Sequence, residues 1–165
     1  MRLPHESRKG LKIVNGRGMS STKVSQRSQV MRTIKSENSG IEVAIRSRLH
    51  RIGLRFRIHS PRLPGKPDIV FLKARLAVFV DSCFWHGCPK HARMPKTNRA
   101  YWTTKIKRNR NRDLQVNEDY VRIGWTVLRL WEHDIKDNLD NCAQKVQRVF
   151  ISLSSGSENS NRHIP

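Results

Sequence analysis

Two cysteines and two histidines carry the clearest chemical signal in this sequence. Cys83, Cys88 and His91 lie close together, directly after an apolar run. Thiolate and imidazole are preferred protein ligands of Zn²⁺, which takes four ligands in structural sites. His133 is the best candidate for the fourth ligand. His86 lies between the two cysteines, and spacing alone does not exclude it from the ligand set.

Phe84 and Trp85 are enclosed by the same two cysteines. A turn held rigid by a metal would direct both side chains outward as a wedge. Apolar wedges that insert between base steps are used by DNA-binding proteins to unstack and bend the duplex. The loop therefore predicts DNA as the partner.

Asp68 begins a predicted strand and follows a loop that contains Gly65 and Lys66. A carboxylate at the end of a sheet suits a hard divalent cation that also binds phosphate oxygens. A turn or capping aspartate is the alternative. Glu42 has a simpler structural explanation, because Ser39 and Glu42 form the pattern of a helix capping box.

Trp102, Ile106, Asn109 and Asp113 recur at helical spacing and predict one face of a helix. An Asn and an Asp beside apolar residues need hydrogen-bond partners. A catalytic cleft supplies such partners, and a satisfied structural network is the alternative. An imidazole in general titrates near neutrality, so His86 is the candidate proton carrier of this cleft.

Hydrophobic periodicity and turn residues predict three helices and four strands. In chain order they are a helix between Ser39 and Gly53, strands over 54–59, 68–72 and 76–80, a helix over about 99–120, a strand over 125–131 and a helix over 139–153. The strand over 125–131 is almost wholly apolar, which predicts cover on both faces. Cys142 lies on the apolar stripe of the last helix and is expected in the core. The order predicts an α/β fold, a mixed sheet flanked by helices.

The composition favours a polyanionic partner. The chain carries 33 Lys and Arg against 13 Asp and Glu, a formal charge of +20 over 165 residues. DNA, RNA and anionic membrane surfaces all suit such a charge. No apolar run reaches the roughly 18 residues that span a membrane, and residues 1–16 lack the apolar centre of a signal peptide. We therefore expect a cytoplasmic protein without a disulfide framework.

Several motifs in consecutive order resemble the very short patch repair endonucleases. They occupy residues 53–59, 63–68, 79–89, 95–98, 101–102, 105–106, 109, 112–113, 124–125 and 127–132. The resemblance implies a simplified restriction-endonuclease-like fold with a structural zinc site. It also implies Mg²⁺-dependent hydrolysis that nicks double-stranded DNA at T:G mismatches, which arise when 5-methylcytosine deaminates.

The resemblance also implies catalytic roles for five residues. Asp68 would be the principal Mg²⁺ ligand, joined by the backbone carbonyl of Val80. Glu42 would help to organise the metal-bound water. His86 would be the catalytic imidazole, and Asp113 would support the active site.

By the same resemblance, zinc is held by four residues other than His86: Cys83, Cys88, His91 and His133. Three aromatic residues would intercalate beside the mismatch: Phe84, Trp85 and Trp102. Asn109 lies on the same helix face as Trp102 and is predicted to contribute to DNA binding.

Two departures from the pattern of the family matter most. His133 stands where the family often has Cys, which keeps a zinc ligand but changes the charge of the site. Asp81 stands where some members have a second catalytic His. A metal ligand, a hydrogen-bond acceptor and a pH-tuning neighbour are the roles left open for Asp81.

The predicted organisation is a basic, disordered tail over residues 1–30, an endonuclease domain over 31–153 and a disordered tail over 154–165. The first tail is a solvated segment or a DNA-grasping arm. We expect a monomer associated with the nucleoid and linked in function to a cytosine-5 DNA methyltransferase. Two alternatives stay open: a nuclease of the same fold in a restriction or defence system, and a zinc-stabilised DNA-binding protein without catalysis.

Overall fold

The computed structural model describes residues 39–58 and 60–159, all of which belong to one compact unit. In chain order the elements are α1 (Gly40–Arg51), β1 (Ile69–Phe71), β2 (Leu76–Asp81), α2 (Arg99–Arg122), β3 (Thr126–Trp131), α3 (Glu132–Asp137) and α4 (Leu139–Asn159). The predicted basic tail over residues 1–30 lies outside the described residues. None of the helices that the structure describes is long and apolar enough to cross a membrane.

The strands form a mixed sheet in the order β1-β2-β3. β1 and β2 form an antiparallel hairpin in which Ile69 lies opposite Val78. β2 and β3 pair in parallel, with Val78 opposite Leu128. A parallel pair needs a long crossover, which here contains the cysteine loop and α2. The predicted α/β fold with a mixed sheet and flanking helices is confirmed.

β2 is the strand that is covered on both faces. Leu76 and Val78 pack into one core with residues of α1, α3 and α4, and Cys142 lies in this core as predicted. Ala77 and Phe79 point the other way and pack against residues of α2. Successive side chains of a strand point to opposite faces, so β2 joins the two cores. The end of β2 is thereby held in a fixed position.

Two strand predictions were wrong in detail. In the predicted strand over 54–59, the described ladder pairing is a single antiparallel bridge between Arg57 and Val70. Leu54 lies in the core, whereas Ile58 is exposed. The alternation of apolar and polar residues over 54–59 therefore reflects the anchoring of an irregular segment to the core. The strand near 125–131 forms, but it lies at the edge of the described sheet and its side chains are mostly half-buried. The cover on both faces belongs to β2.

The predicted C-terminal tail starts too early, because α4 continues to Asn159. The hydroxyl groups of Ser154 and Ser155 donate hydrogen bonds to the carbonyls of Phe150 and Ile151. These bonds let serines remain within a helix. Residues 160–165 lie outside the described part of the chain.

Candidate active site

Asp68 lies directly before β1, beside the end of β2. Its Oδ2 accepts a hydrogen bond of 2.7 Å from the backbone N–H of Val80. Burial raises the pKa of Asp68 to about 6, the Val80 N–H opposes this shift, and the negative charge of Glu42 adds to it. The structure therefore brings two predicted site carboxylates, from α1 and from the start of β1, close enough to repel each other.

Glu42 forms the predicted capping box with Ser39 and also contacts Arg46. The Ser39 hydroxyl accepts from the Glu42 N–H, and the Glu42 carboxylate accepts from the Ser39 N–H. Its second oxygen lies 2.5 Å from Nη2 of Arg46, one helical turn later. Both side chains are buried. Arg46 was missed from the sequence, where its spacing of four residues from Glu42 was the available signal.

His86 and Asp113 form a close pair between the cysteine loop and α2. Nδ1 of His86 lies 2.6 Å from Oδ2 of Asp113. An ionised carboxylate can only accept, so Nδ1 carries the proton of this bond. In the neutral imidazole, Nε2 is then the basic nitrogen. Asp113, which was predicted to need a hydrogen-bond partner on this helix face, therefore has one in His86.

Asp81 and Arg129 extend this pair into a charge network, defined here as Asp81, His86, Asp113 and Arg129. Both Asp81 oxygens lie within 2.9 Å of Nη1 of Arg129, and Oδ1 is 3.6 Å from Nδ1 of His86. Of the roles left open for Asp81, the structure supports hydrogen-bond acceptor. Arg129 was given no role from the sequence, although a charged residue inside an apolar strand is a usable signal.

The predicted zinc residues form a Cys/His cluster, defined as Cys83, Cys88, His91 and His133. Their four ligand atoms all lie within 4.8 Å of one another. Nδ1 of His133 is 3.2 Å from the Cys83 sulfur and 3.6 Å from the Cys88 sulfur. This donor set and compactness fit a single tetrahedral metal ion. His86 is not part of the cluster. Spacing had left open whether His86 is a zinc ligand or the proton carrier, and the structure separates these two assignments.

Two carboxylates of α3 support the Cys/His cluster. Glu132 accepts hydrogen bonds of 3.1 Å from the Cys83 N–H and the Ser82 hydroxyl. The hydrogen bond from Lys136 holds the pKa of Glu132 below its usual value. Asp134 lies 3.1 Å from Nε2 of His133. A carboxylate behind a ligating histidine is a common support of metal sites, because it fixes the ring and its tautomer.

The predicted wedge residues form an aromatic cluster with one further member, Tyr101. Phe84 lies 5.0 Å from Trp85 and 5.4 Å from Trp102, and Tyr101 lies 5.1 Å from Trp102, between ring centroids. Phe84, Trp85 and Trp102 are half-buried and Tyr101 is exposed. Nζ of Lys105 lies 5.1 Å from the Trp85 ring centroid. The cluster is therefore a partly exposed aromatic surface with a cation beside it.

Two further contacts hold the cysteine loop on α2. The Asn109 amide donates a hydrogen bond of 3.0 Å to the carbonyl of Trp85. Gly87 has a positive φ of 63°, and a Cβ there would lie 2.8 Å from a methyl group of Ile106. Only glycine allows this close approach without strain. The contact of Asn109 is to the loop, and its predicted role in DNA binding stays a prediction.

Comparison with known proteins identifies the family of the chain. The model of the DNA mismatch endonuclease Vsr family matches residues 20–92. The type II nicking enzyme V.NaeI of Lentzea aerocolonigenes is 44% identical over 113 residues, which are 66% of this chain and 68% of that protein. V.XorIIP of Xanthomonas oryzae is 43% identical over 114 residues, 68% and 83% of the two chains. The chain belongs to the Vsr family.

A further Vsr-family relative, the DNA mismatch endonuclease Vsr of Escherichia coli K12, is 36% identical over 107 residues, 64% of this chain and 69% of that protein. Membership makes the chain an endonuclease, so the alternative of a DNA-binding protein without catalysis is wrong. In this Vsr-family chain, Asp68 contacts the end of β2, and the charge network and the Cys/His cluster each include residues at the end of β2 or in the loop after it. Sequence reasoning gave no individual role to Arg46, Tyr101 or Arg129.

Proposed function

We propose that the chain nicks double-stranded DNA at T:G mismatches, beside the mispaired thymine, and so starts short-patch resynthesis. The order of residues in the cysteine loop carries this proposal. Phe84 and Trp85 of the aromatic cluster directly precede His86, which is paired with Asp113. A loop that inserts its aromatics beside a base step would bring the adjacent phosphate close to the imidazole.

Asp68 and the backbone carbonyl of Val80 would hold the catalytic Mg²⁺, and Glu42 would help to organise the water at the metal. Carboxylate and carbonyl oxygens are the ligands that this ion prefers. The raised pKa of Asp68, due to burial with a contribution from Glu42, fits a carboxylate pair that a cation would neutralise. Mg²⁺ would stabilise negative charge developing on the scissile phosphate and the leaving oxygen.

His86 would accept the proton of the attacking water. Its Nδ1 is committed to Asp113, so Nε2 is the nitrogen that can accept a proton as water attacks phosphorus and the P–O bond to the leaving oxygen breaks. Arg46 would orient the carboxylate of Glu42 through its contact of 2.5 Å. These residues fix the geometry before DNA arrives, which is how positioned groups lower a reaction barrier.

The Cys/His cluster would bind one structural Zn²⁺, and the fold would be a simplified restriction-endonuclease fold. Two thiols and two imidazoles form a closed donor set, in contrast to catalytic zinc sites, which keep a position for water. The three-stranded mixed sheet with helices on both faces supports the fold assignment. Zinc would hold the loop that carries Phe84 and Trp85.

Mismatch selectivity would come from the cost of unstacking DNA. Inserting the aromatic cluster requires a base step to open, and a mispaired step opens more easily than a matched one. Stacking on the inserted rings recovers roughly 1–3 kcal/mol per base. The Lys and Arg excess adds affinity for any duplex and carries no information about sequence.

The proposal is tested with two labelled duplexes that differ only by T:G or C:G at one position. With Mg²⁺ present, we expect a nick beside the thymine of the T:G duplex and an intact complementary strand. The C:G duplex and a reaction containing excess EDTA are the controls. Equal nicking of both duplexes, or none of either, contradicts mismatch repair.

A nuclease that serves a restriction or defence system is the second candidate. The name type II nicking enzyme, printed for relatives such as V.NaeI, favours it. Nicking of fully matched DNA at a fixed short sequence would support this candidate. For repair, the expected functional partner is a cytosine-5 DNA methyltransferase, because deamination of its product creates the T:G pair.

A further inference from the structure

Arg129 is a partly buried cation and the one charged residue of β3. Its side chain is 20% exposed. Its guanidinium carbon lies 4.8 Å from the centroid of the Phe79 ring. Withdrawing a charge from water is costly unless the charge is paired and hydrogen-bonded. The partners of Arg129 therefore determine what this charge does in the molecule.

All three guanidinium nitrogens have partners. Nη1 lies 2.8 and 2.9 Å from the two oxygens of Asp81. Nη2 lies 3.5 Å from Oδ1 of Asp113, and Nε donates to the side-chain oxygen of Asn117 at 3.2 Å. Because β3 supplies Arg129, β2 supplies Asp81 and α2 supplies the other two, one planar group ties three elements together.

Two carboxylates compete for the same nitrogen of His86. Its Nδ1 is 2.6 Å from Asp113 and 3.6 Å from Asp81. Asp81 is 4% exposed, and Nη1 of Arg129 contacts both of its oxygens. Asp113, by contrast, divides its oxygens, with Oδ1 towards Arg129 and Oδ2 towards His86. Arg129 thus holds Asp81, the competing carboxylate. It also contacts Asp113, the carboxylate that pairs with His86.

We propose that Arg129 is a positioning residue for His86. By holding Asp81 through Nη1 and Asp113 through Nη2, it keeps the imidazole in a single orientation, with Nδ1 protonated and Nε2 basic. This role explains why an arginine interrupts the apolar pattern of β3. Its kinetic consequence rests on the proposed nicking reaction, whereas its effect on the tautomer of His86 does not.

The test compares Arg129→Met and Arg129→Lys with the wild-type chain in the zinc-loaded protein. Methionine keeps much of the length and apolar contact of the stem, and lysine keeps the charge without the planar fork. Arg122→Met is the matched control, because Arg122 is an exposed arginine paired with Asp119 at the end of α2. Three quantities are measured: the ¹⁵N shifts of the His86 ring at one pH, the single-turnover nicking rate on saturating T:G duplex, and the affinity for that duplex.

For Arg129→Met we expect nicking of bound DNA to slow by about tenfold to a hundredfold, the scale on which a displaced reacting group loses rate. Affinity should stay unchanged, and the His86 shifts should report a mixture of tautomers. Arg129→Lys should fall between Met and wild type. Arg122→Met should match wild type in all three measurements.

Wild-type His86 shifts in Arg129→Met, or a wild-type rate per folded molecule, would overturn the proposal. A lower melting temperature with normal nicking in the folded fraction would also overturn it, since Arg129 would then be purely structural. If the wild-type chain fails to nick the T:G duplex, the proposed function fails, and the His86 shifts still decide the role of Arg129.

Discussion

The Cys/His cluster and the charge network share one loop, yet the chain assembles them in opposite ways. Three residues of the cluster lie within 83–91, and only His133 comes from a distant segment. The network takes Asp81 from β2, His86 from the loop, Asp113 from α2 and Arg129 from β3. A site with ligands close in sequence can be recognised by spacing, whereas a site built from several elements emerges only with the fold.

The two regions should also differ in what their loss costs. The Cys/His cluster, by our proposal, supplies conformational stability, because a metal there would close the loop onto α3. The charge network and the nearby carboxylates would act in catalysis, in a domain that folds without them. Variants of the first region should therefore lose structure, and variants of the second should lose rate.

The largest effect is expected from Cys88→Ser. A structural zinc site is worth about 10–16 kcal/mol in isolated fingers, so losing it should lower Tm by more than about 10 °C. Elemental analysis measures the zinc bound per chain, and thermal melting measures Tm. Cys142→Ala is the control, because Cys142 lies in the core and is not one of the four residues of the Cys/His cluster, so this variant should keep one zinc per chain. Full stability and activity without bound metal would remove zinc from the account.

A smaller effect is expected from Trp102→Ala. Loss of one stacking contact should weaken binding to the T:G duplex by roughly 1–3 kcal/mol, or about five- to 150-fold. Stability should fall little, because Trp102 is half-buried and packs mainly within the aromatic cluster. Titration of labelled duplex gives the affinity, and thermal melting gives the stability.

Trp125→Ala is the matched control for Trp102→Ala. Trp125 packs against the core formed with α2, so its loss should reduce stability and leave the preference for mismatched DNA intact. The opposite pattern, with Trp102 needed for folding and dispensable for mismatch preference, would mean that the aromatic cluster is a packing feature.

The smallest effect is expected from Tyr120→Phe. Tyr120 is fully buried and donates a hydrogen bond of 2.9 Å to the carbonyl of Pro64, in the loop before Asp68. Burial raises the pKa of Tyr120 to about 12, so its hydroxyl stays protonated at neutral pH. Removing this bond should cost about 1 kcal/mol of unfolding free energy in urea titrations. Tyr101→Phe, at an exposed position, should cost nothing measurable.

Local rules predicted much of the structure. The capping box of Ser39 and Glu42 forms. Asn109 and Asp113, which helical spacing placed on one face of a helix, both contact the cysteine loop. The period-2 pattern over 54–59 misled, because Leu54 reaches the core from a segment that makes one bridge. Alternation reports which side chains are anchored, not whether a ladder forms.

Non-local pairing explains what sequence reasoning missed. Arg129 reaches Asp81 because β3 pairs in parallel with β2, placing Phe79 opposite Arg129. That register depends on a crossover through the cysteine loop and α2, and no local pattern encodes it. Three residues of the Cys/His cluster, by contrast, lie in one loop, so spacing indicated them, while the resemblance was needed to exclude His86.

The most direct test of the division between chemistry and scaffold is Asp68→Ala on the T:G duplex, measured for both nicking and binding. Asp68 would supply several kcal/mol of transition-state stabilisation through Mg²⁺, so nicking should fall by about a thousandfold or more. Binding should be equal or tighter, because one negative charge near phosphate is removed. Asp137→Ala, an exposed carboxylate at the end of α3, is the control. Undiminished nicking by Asp68→Ala, or nicking and binding lost together, would contradict the account.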